Sequence, residues 1–341
     1  MSGTSLDGLD MALCRFQFLH GKWEYEMLKS NTLPYDEHLK KQLMEAMFLS
    51  RHDLSQLDIE YGHFIGSRGI QFIRDSGYEA DLIASHGHTV FHQPDKKLTL
   101  QIGNGAEITS CSGIPVVCDF RKKDVALGGQ GAPLVPVGDE LLFGEYDYCL
   151  NLGGFANVSF IKKGKRRAFD ICPVNIVLNE MARMKGKDYD RDGEMCRRGN
   201  TDQDLLQALN NLEYYKKDPP KSLGKEWLDS DFMPALAGHQ LTDPDTAIRT
   251  IYEHIAQQAG KVFDPGASVL VTGGGVYNEF LMERISSSTP ARLVIPDDSL
   301  VQYKEALIFA LLGALRWYGM INCYASVTGA SSDSSAGSVF L

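Results

Sequence analysis

The 341-residue chain lacks the marks of several protein classes. It has no apolar run of about 18 residues, so no membrane-spanning helix and no membrane partner are expected. It opens with no charged segment followed by an apolar one, so no signal peptide is expected and the protein should be cytoplasmic. Its seven cysteines are odd in number and none forms a C-x-x-C pair. A disulfide framework or a zinc site is therefore not expected. Neither G-x-x-x-x-G-K-[ST] nor G-x-G-x-x-G occurs, which sets aside Walker-type and dinucleotide-fingerprint sites. No short repeat period is visible, which sets aside solenoids. Positive charge is scarce: 34 Lys and Arg stand against 44 Asp and Glu, a net charge of −10. That balance argues against nucleic-acid binding. It leaves nucleotide binding open, because backbone N–H groups and a metal ion can hold phosphates.

What is present is an ordinary globular composition, 43% hydrophobic and 23% charged. The length suits two domains, expected at 1–140 and 141–341. Residues 9–18 read as a strand after a small-residue loop, and 36–76 as two helices. Short strands are expected at 81–85, 98–102 and 115–118. The second half repeats that logic, with strands at 148–152, 157–162 and 268–271. Helices are expected at 173–185, 246–263 and 304–318. Residues 188–235 read as a polar excursion or lid, and the chain is Ser-rich from Ser326 onward. This alternation implies an α/β fold with a duplicated architecture.

Three glycine-rich turns occur in order: Ser2-Gly3-Thr4-Ser5-Leu6-Asp7-Gly8, Gly153-Gly154 and Gly273-Gly274-Gly275. Successive N–H groups in such turns form anion sites. One such turn alone is only a turn; three in order, with Asp7 inside the first, point to a nucleotide. Asp7 reads either as a Mg²⁺ carboxylate acting through water or as an Asx-turn residue. Asp170 reads either as the N-cap of the helix that opens near Pro173 or as a general base. Glu305 opens an apolar helix, where a first-turn Glu balances the helix dipole. His86, His88 and His92 suit substrate contact or a structural role better than metal binding. Arg121, between Asp119 and Asp124, is either a carboxylate clamp or a solvated turn residue. The basic run from Lys162 to Arg167 reads as a solvated hairpin tip.

Several of these segments resemble one family. Ser2-Gly3-Thr4-Ser5-Leu6-Asp7-Gly8-Leu9-Asp10 is similar to the phosphate loop of the anhydro-N-acetylmuramic acid kinases. The resemblance continues through Gly87-His88-Thr89-Val90, Leu100-Gln101-Ile102-Gly103, Asp119-Phe120-Arg121 and the run from Gly128 to Pro136. It runs on through Asn151-Leu152-Gly153-Gly154, Asp188-Tyr189-Asp190, Gly273-Gly274-Gly275 and Val327-Thr328-Gly329-Ala330. It covers essentially the whole chain. It implies two actin/hexokinase-like (RNase H-like) α/β domains with a nucleotide cleft between them. It also implies an enzyme of peptidoglycan recycling with two small-molecule partners, ATP and the 1,6-anhydro amino sugar, and Mg²⁺ as cofactor. Water would open the internal ether and the freed oxygen would take the γ-phosphate. The resemblance puts the base on Asp170 and the second carboxylate on Glu305. It puts nucleotide contacts on Ser2, Gly3, Thr4, Ser5, Asp7, Gly153, Gly154, Gly273, Gly274 and Gly275, with Mg²⁺ at Asp7. Sugar contacts fall on His88, Thr89, Gln101, Asp119 and Arg121.

Two departures bear on these expectations. The family writes Asp-Thr-Gly-Pro-Gly-Asn where this chain has Asp170-Ile171-Cys172-Pro173-Val174-Asn175. The bulkier Ile171 and Val174 are expected to crowd the water or the sugar. The family also begins several residues earlier, with an apolar strand, so the strand at 9–18 is expected to be partly unpaired. Two alternatives stay open at this point: a sugar kinase for another carbohydrate, and a catalytically weak ATP-binding relative. The sequence also leaves open a homodimer.

Overall fold

The computed structural model describes residues 1–2, 6–238 and 244–341. The chain forms two compact units, one of Met1–Leu142 with Tyr303–Leu341, the other of Phe143–Gln302. Residues 303–341, expected together with 141–302 in the second domain, fall in the first unit.

The first unit opens with β1 (Gly8–Leu19) and β2 (Lys22–Pro34), paired antiparallel from Gly8↔Pro34 to Leu19↔Lys22. The linking His20 and Gly21 both have positive φ, 52° and 81°, the geometry a two-residue hairpin needs. The strand at 9–18 is thus paired along its length by β2, a strand the sequence did not reveal. The other edge of β1 bridges Ser2 to Leu9, and Met1 exchanges hydrogen bonds with Asp10.

Helix α1 (Glu37–Glu45) starts where Asp36 accepts the Leu39 N–H, and α2 (Arg51–Arg74) where Ser50 accepts the Asp53 N–H. Both are side-chain N-caps. Leu57, Tyr61, Ile65 and Phe72 bury one face of α2. Next come β3 (Ile83–Ala84), β4 (His88–Gln93), β5 (Leu98–Ile102), α3 (Gly105–Ser112) and β6 (Val116–Cys118). Short helices α4 (Lys122–Ala126) and α5 (Pro136–Leu142) follow. β4 and β5 pair antiparallel and β3 pairs parallel with β6.

The second unit holds a five-stranded sheet. β7 (Tyr148–Leu152), β8 (Phe155–Lys162) and β9 (Lys165–Pro173) form an antiparallel meander. Helix α6 (Asn175–Met184) follows, then α7 (Gln203–Asn210), α8 (Glu213–Lys216), α9 (Lys225–Trp227), α10 (Met233–Ala237) and α11 (Pro244–Gly260). The segment expected to be a polar excursion contributes apolar side chains to the core: Leu205, Leu209, Leu228 and Phe232 pack into the cluster around Leu150 and Val271. The four-residue spacing within each pair gives short amphipathic turns that a polar average conceals. β10 (Ser268–Thr272) lies parallel between β7 and β11 (Arg292–Val294), with α12 (Glu279–Ser287) between the two in sequence.

Helix α13 (Asp298–Trp317) carries the chain back into the first unit. α14 (Ala325–Thr328) and β12 (Ser338–Phe340) complete it, β12 pairing antiparallel with β6. That pairing explains why a Ser-rich segment belongs to the first unit. No helix among the described residues is long and apolar enough to cross a membrane.

Gly62 marks the tightest contact of α2. A Cβ there would lie 2.7 Å from the carbonyl oxygen and 2.8 Å from the nitrogen of Asn104. Asn104 cannot retreat, because the Asp58 carboxylate holds both the Gly103 N–H (2.8 Å) and the Asn104 amide (3.1 Å). Gly62→Ala gains up to about 1 kcal/mol of helix propensity. It incurs about 1–3 kcal/mol of overpacking. A lower urea midpoint is expected; an unchanged or higher one would show that the Gly103–Asn104 turn yields.

Candidate functional site

The second unit brings two of the glycine turns together. β7 and β10 are neighbours in register, with Asn151 opposite Thr272, so the turns that follow them emerge side by side. Gly273 has φ of +89°, and a Cβ there would lie 2.6 Å from Asn151 Oδ1 and 2.9 Å from Leu152 O. A Cβ at Gly275 would lie 2.8 Å from the Leu152 Cβ. Only glycine allows this approach. The Gly154 carbonyl accepts from the Val174 and Ile176 N–H groups, and Asn175 Nδ2 donates to Leu152 O at 3.2 Å. The first turn of α6 thereby fixes the Gly153–Gly154 turn. Gly273, Gly274 and Gly275 then lead through a short 3₁₀ turn into α12.

Asp170 lies within β9, and its neighbour across the sheet is Asn157. α6 begins after Val174, so the N-cap reading of Asp170 fails. Its Oδ2 accepts the Leu223 N–H at 2.8 Å. The Tyr214 hydroxyl donates to its carbonyl at 2.5 Å, and its N–H donates to Lys221 O at 3.2 Å. Burial pushes the Asp170 carboxyl up to about 6, against the opposing effect of the Leu223 hydrogen bond. Ile171, Cys172 and Val174 all belong to the hydrophobic core. Their bulk is absorbed there, which corrects the expectation that it crowds a ligand.

In the first unit, Arg121 is neither solvated nor free. Its Nε donates to His86 Nε2 at 3.0 Å and its Nη1 donates to Gly131 O at 2.6 Å. His86 Nδ1 lies 3.0 Å from Gly87 O, which as a carbonyl only accepts, so Nδ1 carries the proton and Nε2 is free to accept. Burial, reinforced by Arg121, holds His86 well below its ordinary pKa and keeps it neutral. Asp124 organises the other side. It is fully buried, and its carboxylate accepts from Gly131 N–H (2.7 Å), Thr328 Oγ1 (2.7 Å) and Cys323 Sγ (3.1 Å). One carboxylate therefore joins the Gly128–Pro133 loop to the Thr328 segment and fixes the carbonyl that holds Arg121.

Glu305 sits well inside α13, which begins at Asp298, so its placement in a first helical turn is corrected. The helix starts earlier because Asp297 accepts the Leu300 N–H. Glu305 is solvent-accessible, yet enough protein surrounds it that burial raises its carboxyl above the usual range. Arg121, the Met1 ammonium and Lys304 oppose the rise, while Asp10 adds to it. The neighbouring Lys304 forms a buried ion pair with Asp139 at 2.7 Å.

The remaining expected contacts are scattered more widely. His88 and Thr89 face Ile102 and Gln101 across the β4–β5 pair. Gln101 Nε2 donates to Thr99 Oγ1 at 2.9 Å, while its buried Oε1 has no hydrogen-bond partner. Ser2 Oγ lies 3.4 Å from His88 Nδ1. Asp119 pairs with Lys122 at 2.8 Å. Asp7 is exposed just before β1. Gly3, Thr4 and Ser5 lie outside the described residues. Among the described residues no group of three His, Cys, Asp or Glu could hold a metal ion. The basic run does form a hairpin tip, but Arg166 is buried and donates to Ser159 Oγ at 2.7 Å. Sequence reasoning missed His86, Asp124, Tyr214 and Leu223 as organisers. His86 and Asp124 were named in the sequence without these roles, and Thr328 lay within its closing motif; Tyr214 and Leu223 carried no signal.

Comparison with known proteins gives the class first: the relatives are kinases. A family model described as anhydro-N-acetylmuramic acid kinase matches residues 1–341. The anhydro-N-acetylmuramic acid kinase of Vibrio cholerae is 34% identical over 361 residues, covering 100% of this chain and 96% of that one. That of Sulfurimonas denitrificans is 30% identical over 364 residues, covering 100% and 98%. The chain belongs to the anhydro-N-acetylmuramic acid kinase family. A ROK family glucokinase structure from Streptomyces griseus, in complex with glucose and AMPPNP, aligns at a TM-score of 0.37 and 12% identity. That alignment covers 89% of this chain and 99% of that one. The likeness is too slight to add to the assignment.

Thr328→Val keeps the shape of the side chain and removes one donor from the buried Asp124 carboxylate. A loss of about 1.5–3 kcal/mol in unfolding free energy is expected, the scale for a hydrogen bond to a charged group. Urea denaturation measures it, and an unchanged midpoint would remove Asp124 from its organising place.

Proposed function

We propose that the chain phosphorylates 1,6-anhydro-N-acetylmuramic acid at the expense of ATP, opening the anhydro bridge with water and releasing N-acetylmuramic acid 6-phosphate and ADP. Family membership over the whole length supports this reading. The observation that carries the chemistry is Asp170, a carboxyl raised to about 6 yet held by a backbone N–H. A base should titrate near the working pH, strong enough to take a proton and still ionised.

In the proposed reaction, Asp170 takes a proton from water, and that water attacks the anomeric carbon. The bond from that carbon to the bridging oxygen breaks. The freed oxygen takes the γ-phosphoryl group, and ADP leaves. Glu305 is the second carboxylate proposed to orient the water. Arg121, aimed by His86 and Gly131, offers its remaining donors to the substrate's carboxylate. Gln101 Oε1, a buried acceptor without a partner, suits a donor on the sugar. His88, Thr89 and Asp119 belong to the same proposed sugar segments.

In the paired turns at Gly153–Gly154 and Gly273–Gly275, a Cβ would collide at Gly273 and Gly275, while at Gly154 and Gly274 it would meet nothing nearer than 3.8 Å; bare backbone of this kind suits a phosphate cradle. Ser2, Gly3, Thr4 and Ser5 are proposed to complete the nucleotide contacts. Asp7 is an exposed oxygen donor of the kind that suits hydrated Mg²⁺, a site that needs few protein ligands. When bound, Mg²⁺ would neutralise phosphate charge. A cytoplasmic setting, where ATP is available, is part of the proposal.

Asp170→Asn is expected to keep ATP binding and lose about 10²–10⁴-fold in turnover, the usual scale for a general base. Mass spectrometry of the sugar product, with anhydro sugar, ATP and Mg²⁺ supplied, measures it; near-normal product formation would remove Asp170 from the reaction. The wild type should show an acid limb. Asp170 is protonated and inactive below about 6 and ionised and active above it, so kcat rises with pH through that region. A profile flat from pH 4.5 to 7.5 would contradict the assignment. Asp7→Ala should raise the Mg²⁺ concentration needed for half-maximal turnover while leaving the melting temperature unchanged. Full activity with the same Mg²⁺ dependence would make Asp7 only a turn residue.

A further inference from the structure

Residues 214–223 arch over Asp170, and the established features of the site do not explain why. Three hydrogen bonds join the arch to this one residue. Tyr214 Oη donates to the Asp170 carbonyl (2.5 Å), the Asp170 N–H donates to Lys221 O (3.2 Å), and the Leu223 N–H donates to Asp170 Oδ2 (2.8 Å). Backbone and carboxylate are thus both held by a segment about fifty residues further along the chain.

The arch is itself anchored. Tyr214 is buried, with its ring 5.3 Å from Trp227 and 5.6 Å from Tyr215. The Lys221 ammonium donates to Tyr214 O at 3.2 Å and lies over the rings of Tyr214 and Phe169, at 4.7 and 5.7 Å. Its charge is therefore spent on the arch and not on Asp170. Across the sheet the neighbour is Asn157, which does not titrate. Tyr214, whose hydroxyl donates to the Asp170 carbonyl, is the one titratable side chain hydrogen-bonded to Asp170 among the described residues. Oδ2 is occupied by the Leu223 N–H, and Oδ1 has no protein partner among the described residues.

We infer that residues 214–223 position Asp170: the Leu223 N–H fixes one carboxylate oxygen so that the other, Oδ1, accepts the proton from water, and the Tyr214 hydroxyl holds the backbone that sets its direction. The inference rests on the reading of Asp170 as the general base. The arch works by geometry and by pKa together. A carboxylate free to rotate about its side-chain bonds presents either oxygen at varying distance, and an error near 1 Å in a reacting pair costs up to about 10²-fold. The donor also favours the ionised form, opposing the rise that burial causes.

The test is the pH dependence of kcat and the KM for ATP in five proteins: wild type, Asp170→Asn, Leu223→Pro, Leu223→Ala and Tyr214→Phe. Leu223→Pro removes the N–H donor. Its acid limb should move up by about one pH unit, and its kcat at neutral pH should fall about tenfold, with KM for ATP unchanged. Leu223→Ala retains the N–H and should retain the wild-type acid limb, which separates the donor from the side chain. Tyr214→Phe keeps the ring packing and should lower kcat several-fold without changing KM for ATP. It also serves as the test if Leu223→Pro fails to fold by circular dichroism. An inactive Asp170→Asn beside wild-type limbs and kcat in Leu223→Pro and Tyr214→Phe overturns the arch's role and leaves the base intact. A fully active Asp170→Asn overturns the base and the positioning inference with it.

Discussion

Backbone meeting backbone with nothing between is the constraint on which both units depend. In the second unit, parallel pairing of β7 and β10 sends two turns out of the sheet side by side, and Gly273 and Gly275 lie directly on Leu152. In the first, α2 rests on the backbone of Asn104 at Gly62. Gly87 does the same at the Ile102 carbonyl, where an added Cβ would lie 2.3 Å from the oxygen. Sheets and helices can be drawn this close only where no Cβ intervenes. The approach fixes the course of the turns that leave the strand ends.

Carboxylates show how environment assigns different tasks to one residue type. Asp58 and Asp124 are structural: each collects several donors and fixes a loop. Asp139 neutralises Lys304 in the interior. Asp7 remains exposed. Asp170 combines partial burial, which raises its proton affinity, with an N–H donor at Leu223 that opposes the rise. Glu305 is the parallel case in the first unit, raised by its surroundings and pulled back by Arg121 and the Met1 ammonium.

The α/β class, the strand at 148–152, the helices near 36–76 and 173–185 and the glycine turns were legible because their signals are local: periodicity, caps and small-residue clusters. β2 was not legible. Its polar residues suit a mostly half-exposed strand, and its pairing with β1 is what makes it one. The return of residues 303–341 to the first unit depends on the pairing of β12 with β6, more than two hundred residues apart. Asp170 stood out only through family resemblance, since burial raises its proton affinity and a donor at Leu223 opposes that rise, and neither is encoded near Asp170. His86 stood out as a histidine, but its use as a neutral acceptor for Arg121 comes from the Gly87 carbonyl and burial.

The cysteines, which build neither bridge nor zinc site among the described residues, have a different consequence. Cys149, Cys172 and Cys196 are buried in the second unit; Cys118 and Cys323 are buried in the first. Burial pushes the Cys118, Cys172, Cys196 and Cys323 thiols well above the ordinary range, so in the closed protein they are both hidden and protonated. Only thiolate reacts with alkylating reagents. Each unit therefore carries built-in reporters of its own opening. Peptide-resolved alkylation rates can time the breathing of one unit separately from the other, with no label introduced and no residue changed.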